Sequence, residues 1–358
     1  MDWLQYFGVL SDYDNLEKRV STAGYVLHDN GYGTRHFQKW FTIYSAGKKY
    51  AIAQLCCLPF SVKTSDRQGI FLPGSATVQL CNRFCYSPDV VNVMAKLCDI
   101  LCFKFKSISR LDLCYDFQHF DNKLKPETLI LGYYSSKYWK MGNNKALGVG
   151  RQIRGYCPET LSFKGKNSAV GVKLYNKTKE MDEVHEKPYI RDAWANCGLQ
   201  NGKDVWRLEI SIKSDGRTVV DTGSGEIVKF SVQDIATPEQ RMFLFFVFAQ
   251  KYFHWRYNRG ETRKARAKDV GLFNPGLDTE CWKPLKVTAS RDYSRKAKML
   301  INALYEMIED SDVPDDVLSD LKKTAWHLSQ KYRLLPKLAN TCLQAMDENP
   351  EAQPRINN

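Results

Sequence analysis

Hydrophobic and polar residues alternate along much of the first half of the chain, with the period of two that predicts β-strands. The segments 34–45 and 48–58 alternate in this way and are separated by a short Ser-Ala-Gly turn, so we expect a hairpin. Further strands are predicted in the segments 69–81, 108–120, 159–177 and 204–213, of which 159–177 is predicted to be a second hairpin.

Helical periodicity and helix-start residues predict helices elsewhere in the chain. One helix is expected to start at Ser87-Pro88-Asp89 and to end near Lys106, and another to start near Pro126. A long helix is predicted to begin at Thr237-Pro238 and to run to Arg259, and residues 288–345 are expected to form two or three more. Helices therefore dominate the last third of the sequence.

These elements indicate an α+β fold. We expect an antiparallel sheet with helices on one face and a catalytic groove on the other, followed by a helical C-terminal region. The predicted divisions are a sheet-forming domain over residues 1–235, a helical region over 236–349 and a disordered polar tail over 350–358.

The composition suggests a polyanionic partner. Lys and Arg number 52 against 40 Asp and Glu, a net charge of +12, and the excess of positive charge lies in the first 300 residues. A basic body favours nucleic acid as partner, although a basic soluble enzyme fits the charge equally well.

No apolar run is long enough to span a membrane, and the start lacks a secretory signal pattern. With 11 cysteines and no C-x-x-C pair, we expect reduced thiols and a cytoplasmic location.

Three predicted strands each carry one apolar face and one polar face. A solvated side of an antiparallel sheet would give the same pattern. The polar faces, however, combine carboxylates, lysines and a tyrosine. They are Arg110, Asp112, Cys114 and Asp116 in the first strand, Lys173, Tyr175 and Lys177 in the second, and Arg207, Glu209, Ser211 and Lys213 in the third.

If these strands pair, Asp112, Asp116 and Glu209 can converge on one hard cation, and such oxygen ligands suit Mg²⁺ or Mn²⁺. The same face would hold a tyrosine between two lysines, which fits attack of a tyrosine oxygen on a DNA phosphodiester. Lys173 and Lys177 are placed to favour the phenolate of Tyr175, and a guanidinium such as that of Arg207 would offset developing charge.

The order of three motifs resembles that of the rolling-circle replication initiators of plasmids and the filamentous-phage replication endonucleases of the gene II type. The motifs are S-R-L-D-L-C-Y-D-F at 109–117, E-T-L-S-F-K-G-K-N-S-A-V-G-V-K-L-Y-N-K-T-K-E at 159–180 and V-W-R-L-E-I-S-I-K at 205–213. The positions that match the family pattern are Thr160, Gly165, Ser168, Tyr175, Lys177, Glu180, Arg207 and Glu209.

The resemblance implies that Tyr175 is the nicking nucleophile, left joined to the 5′ phosphate. Asp112 and Glu209 would then hold the metal, with Asp116 as a less regular third ligand. Lys177 would contact the scissile phosphate or help activate the tyrosine. Glu180 would be either a ligand or a helix-start residue with a structural role.

Two further sets of residues are predicted to bind DNA. The segment 251–269 combines bases with aromatic residues, which suits phosphate contact and base stacking, although its aromatic stripe fits packing against the sheet. We assign DNA contact to its far side, and to three basic residues of the motif strands and hairpin. The full set is Arg110, Lys164, Lys166, Arg256, Arg259, Arg263, Lys264 and Arg266.

The sequence thus predicts a protein that initiates rolling-circle replication by metal-dependent nicking of one DNA strand, with a helicase as a candidate partner. Two alternatives stay open: a relaxase-like nickase for conjugative mobilisation, and a non-catalytic DNA-binding protein on the same scaffold. Among competing tyrosines, Tyr115 is expected to face the core and Tyr133 and Tyr134 to pack in a helix, which leaves Tyr156 as the strongest substitute for Tyr175.

Overall fold

The computed structural model divides the chain into two compact units, Met1–Val287 and Thr288–Asn358. Residues 236–287, which the sequence assigned to the helical region, lie in the unit that contains the sheet. The residues that the structure describes are 1–48, 50–63, 71–141, 152–154, 157–163, 168–285, 300–301, 303–304, 307–308 and 314–332.

The first unit is built on a ten-stranded antiparallel sheet, which confirms the predicted α+β class. Its strands follow the order β2-β3-β4-β5-β1-β6-β11-β10-β9-β8. Their bounds are β1 Trp3–Leu10, β2 Tyr25–Asp29, β3 Phe37–Ser45, β4 Ala51–Pro59, β5 Ser75–Leu80, β6 Phe103–Phe117, β8 Gln152–Arg154, β9 Cys157–Phe163, β10 Val170–Asn176 and β11 Trp206–Lys213.

Two small sheets complete the strands of this unit. The short strands β7 and β14 pair with each other, and β12 lies between β13 and β15. Their bounds are β7 Tyr138–Lys140, β12 Thr218–Asp221, β13 Ile227–Lys229, β14 Trp255–Tyr257 and β15 Trp282–Pro284.

The helices of the first unit are mostly short. They are α1 Leu16–Thr22, α2 Asn82–Cys85, α3 Val90–Leu101, α4 Pro126–Tyr134, α5 Lys177–Glu183, α6 Pro188–Asn196 and α7 Pro238–Tyr252, with 3₁₀ turns at Ser214–Arg217, Gln233–Ile235 and Lys264–Arg266.

One face of the large sheet forms the hydrophobic core. Strand β1 shows this most clearly: alternate residues are buried, and Leu4 and Tyr6 are fully buried. Helix α3 contributes Leu97 to this core, and α7 contributes Phe245 and Phe248. The predicted helix-covered face of the sheet is therefore present. It is stabilised because the apolar stripes of these helices and the apolar side of the sheet are buried against each other.

The two long predicted helices end earlier than the sequence analysis predicted. Helix α3 ends at Leu101 because Cys102 adopts a left-handed conformation (φ 47°), and the chain then enters β6 instead of continuing to Lys106. Helix α7 begins as predicted, with a capping box between Thr237 and Gln240, but it ends at Tyr252. Alternating aromatic and polar residues follow both helix ends and fit a strand equally well.

The second unit is described through part of its helical residues. Helix α8, Asp315–Tyr332, confirms one of the predicted helices of this region. A small cluster of buried residues contains Ile301, Leu304 and Ala325. The tail over 350–358 lies outside the described residues. No helix in the described parts of either unit is long and apolar enough to cross a membrane.

Candidate functional site

The three strands with polar faces are neighbours in the large sheet, so their polar residues form one surface. Strand β11 pairs with β10 on one side and with β6 on the other. In this register Tyr175 lies opposite Arg207, which lies opposite Asp116. The next polar row places Lys173 opposite Glu209. The predicted polar residues of the three strands thus share one face of the sheet, because the strands pair in this register.

Tyr175 is buried in this surface, with 5% of the residue exposed. Its hydroxyl donates a hydrogen bond to Oε2 of Glu209 over 3.2 Å. The Nζ atoms of Lys173 and Lys177 lie 4.2 Å and 5.5 Å from the centroid of the tyrosine ring. The tyrosine is therefore flanked by two cations and bonded to one carboxylate.

Burial raises the pKa of the Tyr175 hydroxyl well above its ordinary value. Attraction to Arg207 opposes this rise, and the Glu209 carboxylate adds to it. The sequence predicts that nearby lysines favour the phenolate, but in the structure the loss of hydration outweighs the neighbouring positive charge. At neutral pH the hydroxyl is therefore protonated, and Glu209 is the group placed to accept its proton.

Arg207 is fully buried and is held by three partners. Its Nη1 donates to Oδ1 of Asp2 over 2.6 Å, and its Nε donates to Oδ1 of Asp116 over 2.6 Å. Its Nη2 donates to Oδ2 of Asp116 over 2.7 Å and to the hydroxyl of Tyr86 over 2.5 Å. The sequence assigned Arg207 to catalysis. In the structure, its guanidinium links the segments that carry Asp2, Tyr86 and Asp116.

Asp116 does not join the other predicted metal ligands. Both of its oxygens accept from Arg207, and Oδ2 also accepts from Nε1 of Trp194 over 2.7 Å. Trp194 belongs to α6, which therefore lies against the polar face at this end of the strands. In the described part of the chain, no three His, Cys, Asp or Glu side chains are grouped as a metal site. In this structure Asp116 does not join Asp112 and Glu209, because both of its oxygens are paired with Arg207.

Asp112 and Glu209 remain as the predicted ligands. Asp112 is 2% exposed and accepts hydrogen bonds from Nε and Nη2 of Arg110 over 3.0 Å and 2.5 Å. Burial raises the pKa of Glu209, and the neighbouring carboxylates of Asp2 and Asp112 raise it further. These carboxylates therefore repel one another, and a cation between them would relieve the repulsion.

Lys177 lies at the junction of strand β10 and helix α5. The strand ends at Asn176, whose side chain caps the helix by accepting from the backbone N–H of Lys179 over 3.0 Å. The Lys177 side chain is 2% exposed, and its Nζ donates to Oε2 of Glu180 over 2.5 Å. Glu180 therefore fixes the Lys177 ammonium next to Tyr175. This contact fits the second of the two predicted roles of Glu180, a structural role at the helix start.

The residues that surround Arg207 are not among the predicted site residues. Asp2 precedes β1, a strand whose alternation is visible in the sequence but which is not among the predicted strands. Burial raises the pKa of Asp2, but Arg207, a hydrogen bond from Asn82 and attraction to Lys177 lower it by more, to about 2. Tyr86 and Asn82 lie in or beside the short helix α2, and no local pattern marks Tyr86 as a partner of Arg207 or Asn82 as a partner of Asp2.

The basic segment after α7 differs from the predicted continuous helix. Arg256 lies in β14, and its Nε donates to Oδ1 of Asp269 over 2.9 Å, so it holds the loop in place. The loop beyond β14 leaves the other predicted DNA contacts of this segment exposed: Arg259, Arg263, Lys264 and Arg266. Arg110 is partly exposed. Lys164 and Lys166 lie outside the described residues.

No family model matches the chain, and no curated protein matches its sequence. Among solved structures, the chain is similar to a rolling circle replication initiator protein from Geobacillus stearothermophilus. The two are 15% identical, the match covers 75% of this chain and 91% of the other, and the TM-score is 0.42. The residues of this chain and their geometry therefore have to indicate its function.

Proposed function

We propose that the protein is a rolling-circle DNA replication initiator that nicks one DNA strand with Tyr175. The observation that supports this most directly is the contact between the Tyr175 hydroxyl and Glu209 on the polar face of the sheet, with Lys173 and Lys177 beside the ring. A nucleophile, a proton acceptor and cations that stabilise negative charge are the groups that phosphodiester transfer needs.

In the proposed step, the scissile phosphate is transferred from the 3′ oxygen of the DNA to the Tyr175 oxygen. The Tyr175 proton passes to Glu209, the phenolic oxygen forms a bond to phosphorus, and the bond from phosphorus to the 3′ oxygen breaks. The 3′ oxygen takes a proton from solvent, and the 5′ phosphate remains joined to Tyr175. Attack by the 3′ hydroxyl on this intermediate reverses the step and rejoins the strand.

The lysines have different parts in this proposal. Lys173 is exposed on the polar face, so its ammonium is the one placed to meet an incoming phosphate. Lys177 is buried and fixed by Glu180, so it acts from behind the ring by stabilising negative charge on the phenolic oxygen. Because Tyr175 is buried, binding of DNA has to make its hydroxyl accessible.

Asp112 and Glu209 are the residues that would hold a divalent cation. Magnesium is commonly bound through one or two protein carboxylates together with substrate phosphate oxygens and water, which these two side chains fit. Such an ion would polarise the non-bridging oxygens of the scissile phosphate. Arg110 would have to release Asp112 for this, and its partial exposure leaves it room to turn towards DNA.

Chelation of divalent metal should abolish nicking of supercoiled plasmid DNA, and Mg²⁺ or Mn²⁺ should restore it. Asp112→Ala and Glu209→Ala should lose activity in the presence of the metal, because each removes one of two protein ligands. Glu159→Ala serves as the matched control, since that carboxylate pairs with Lys179 outside the polar row. Full activity of either ligand variant would remove that residue from the site.

Binding to duplex DNA should weaken steeply with salt, because each phosphate contact contributes about 0.9 to the log–log slope. Replacing Arg263, Lys264 and Arg266 together by glutamine should flatten that slope while sparing cleavage of a short single-stranded oligonucleotide. Fluorescence anisotropy over a salt series measures the slope, with Lys18→Gln on α1 as control. A slope equal to that of the unmodified protein would show that these three residues do not contact DNA.

The experiment that tests the proposal as a whole is a nicking assay on supercoiled plasmid that carries the DNA next to the gene. Conversion to the open circular form that depends on Tyr175 would support the proposed function as a replication initiator. DNA binding without any conversion would favour a non-catalytic DNA-binding protein.

A further inference from the structure

The polar surface continues past the candidate site onto the N-terminal half of the sheet. Strand β6 pairs with β1, β1 with β5, and β5 with β4. One row across these strands places Arg110 opposite Gln5, Gln5 opposite Gln79, and Gln79 opposite Gln54. Three glutamines on adjacent strands therefore extend the row that begins beside Asp112.

Aromatic side chains flank this row on the same face of the sheet. Trp3 and Phe7 stand two positions either side of Gln5 on β1, and Trp40 of β3 lies opposite Cys56 of β4. Cys56 and Phe7 are both opposite Thr77, which places Trp40 and Phe7 in one row. We call this surface the glutamine face, and its members are Trp3, Gln5, Phe7, Trp40, Gln54 and Gln79.

The glutamine face has the composition of a binding surface. Its six members are all partly exposed and uncharged, whereas solvent-facing residues are more often charged. Trp3, Phe7 and Trp40 belong to no hydrophobic core cluster of the described residues and are not packed against one. In the part of the chain that the structure describes, no hydrogen bond engages the three glutamine amides. Phe7 has one aromatic neighbour, Phe71, with the ring centroids 6.3 Å apart, and Trp40 lies edge-on to Tyr32 at 5.2 Å. The glutamine amides have hydrogen-bonding capacity that the fold does not use.

Cations lie at the border of this face, on the side of the candidate site. The guanidinium of Arg110 stacks on the ring of Trp3, with its central carbon 4.4 Å from the ring centroid. Lys213 lies opposite Arg110 on the next strand and is exposed. A strand of nucleic acid with phosphates at this border would reach Lys173 of the candidate site along the same face.

We propose that the glutamine face binds single-stranded DNA, with nucleobases stacked on Trp3, Phe7 and Trp40 and their edges bonded by the glutamine amides. Aromatic rings stack on any base, and amides offer both a donor and an acceptor, so the chemistry suits unpaired bases. The distance from β1 to β3 is three strand spacings, about 14 Å, which accommodates a few nucleotides. This inference rests on the proposed nicking function and identifies where the strand next to the nick is held.

Alanine at Trp40 or Phe7 should weaken binding of an oligothymidine of 20 nucleotides about 5- to 150-fold, because each loses one stacking ring. The measurement is fluorescence anisotropy with full-length Tyr175→Phe protein as background, so that no cleavage occurs. Binding to a duplex of equal length should change much less. Trp40→Phe should retain most of the affinity, and Tyr134→Ala should leave it unchanged, since Tyr134 lies on α4 against the opposite face.

Unchanged oligothymidine binding by folded Trp40→Ala and Phe7→Ala proteins would overturn the proposal, and is also the result expected if this face binds a protein partner. A test without any variant is ultraviolet cross-linking of the Tyr175→Phe protein to the same oligonucleotide. Peptides that contain Phe7 or Trp40 should carry the adduct, and adducts found only elsewhere would contradict the proposal. Because these measurements need no cleavage, loss of the glutamine face as a binding site and loss of the nicking function are separate outcomes.

Discussion

Replacing Tyr175 by phenylalanine should abolish both nicking and covalent attachment to DNA. The substitution removes one oxygen from a ring that is already buried, so the packing against Lys173 and Lys177 is kept. The lost group is the proposed nucleophile, and the other polar groups around it are two lysines and Glu209, which do not substitute for it in forming a stable phosphoester. A supercoiled-plasmid assay measures nicking, and denaturing gel electrophoresis with labelled DNA measures attachment.

Folding and DNA binding of the Tyr175→Phe protein should be almost unchanged, because only its hydrogen bond to Glu209 is lost. Tyr133→Phe is the matched control: Tyr133 packs edge-on against Phe163 in the core, and its variant should nick normally. Nicking activity retained by Tyr175→Phe would remove this residue as the nucleophile and direct attention to Tyr156.

Replacing Arg207 by alanine should destabilise the protein by about 3–5 kcal/mol, the usual cost of removing one partner from a buried ion pair. The substitution leaves Asp116 and Asp2 without the Arg207 cation and removes the hydrogen bond that Arg207 donates to the Tyr86 hydroxyl. Urea unfolding followed by circular dichroism measures the change in the free energy of unfolding.

Arg191→Ala gives the comparison for this result. Its guanidinium pairs with Asp182 over 2.6 Å, but the two side chains are 40% and 55% exposed, so the loss should be below about 1 kcal/mol. If Arg207→Ala instead keeps its stability and loses only nicking, Arg207 acts in catalysis as the sequence suggested.

The period of two was sufficient to predict the faces of the three motif strands, because successive side chains of a strand point to opposite faces of the sheet. It correctly placed Tyr115 in the core, where its ring packs against Phe245 and Phe246. It also placed Tyr175 on the same face of its strand as Lys173. The resemblance to replication initiators then gave these residues their proposed roles.

Long-range pairing is what the sequence did not reveal. Strand β1 lies in the middle of the sheet, between β5 and β6, although it is the first element of the chain. It brings Asp2 to Arg207, and helix α6 brings Trp194 to Asp116. Whether a polar face stays open or is covered depends on such distant segments. The sequence predicts Arg207 as a catalytic residue and Asp116 as a metal ligand, but it gives no sign of the network that joins them.

The most direct test of the proposed function is to map the covalent adduct between the protein and DNA. After nicking of DNA that carries the cognate site, nuclease digestion and proteolysis should leave a nucleotide on the peptide that contains Leu174-Tyr175-Asn176. That result would establish Tyr175 as the nucleophile and the 5′ phosphate as its partner. A nucleotide found on the peptide with Tyr156, or DNA nicked without any adduct, would contradict the assignment.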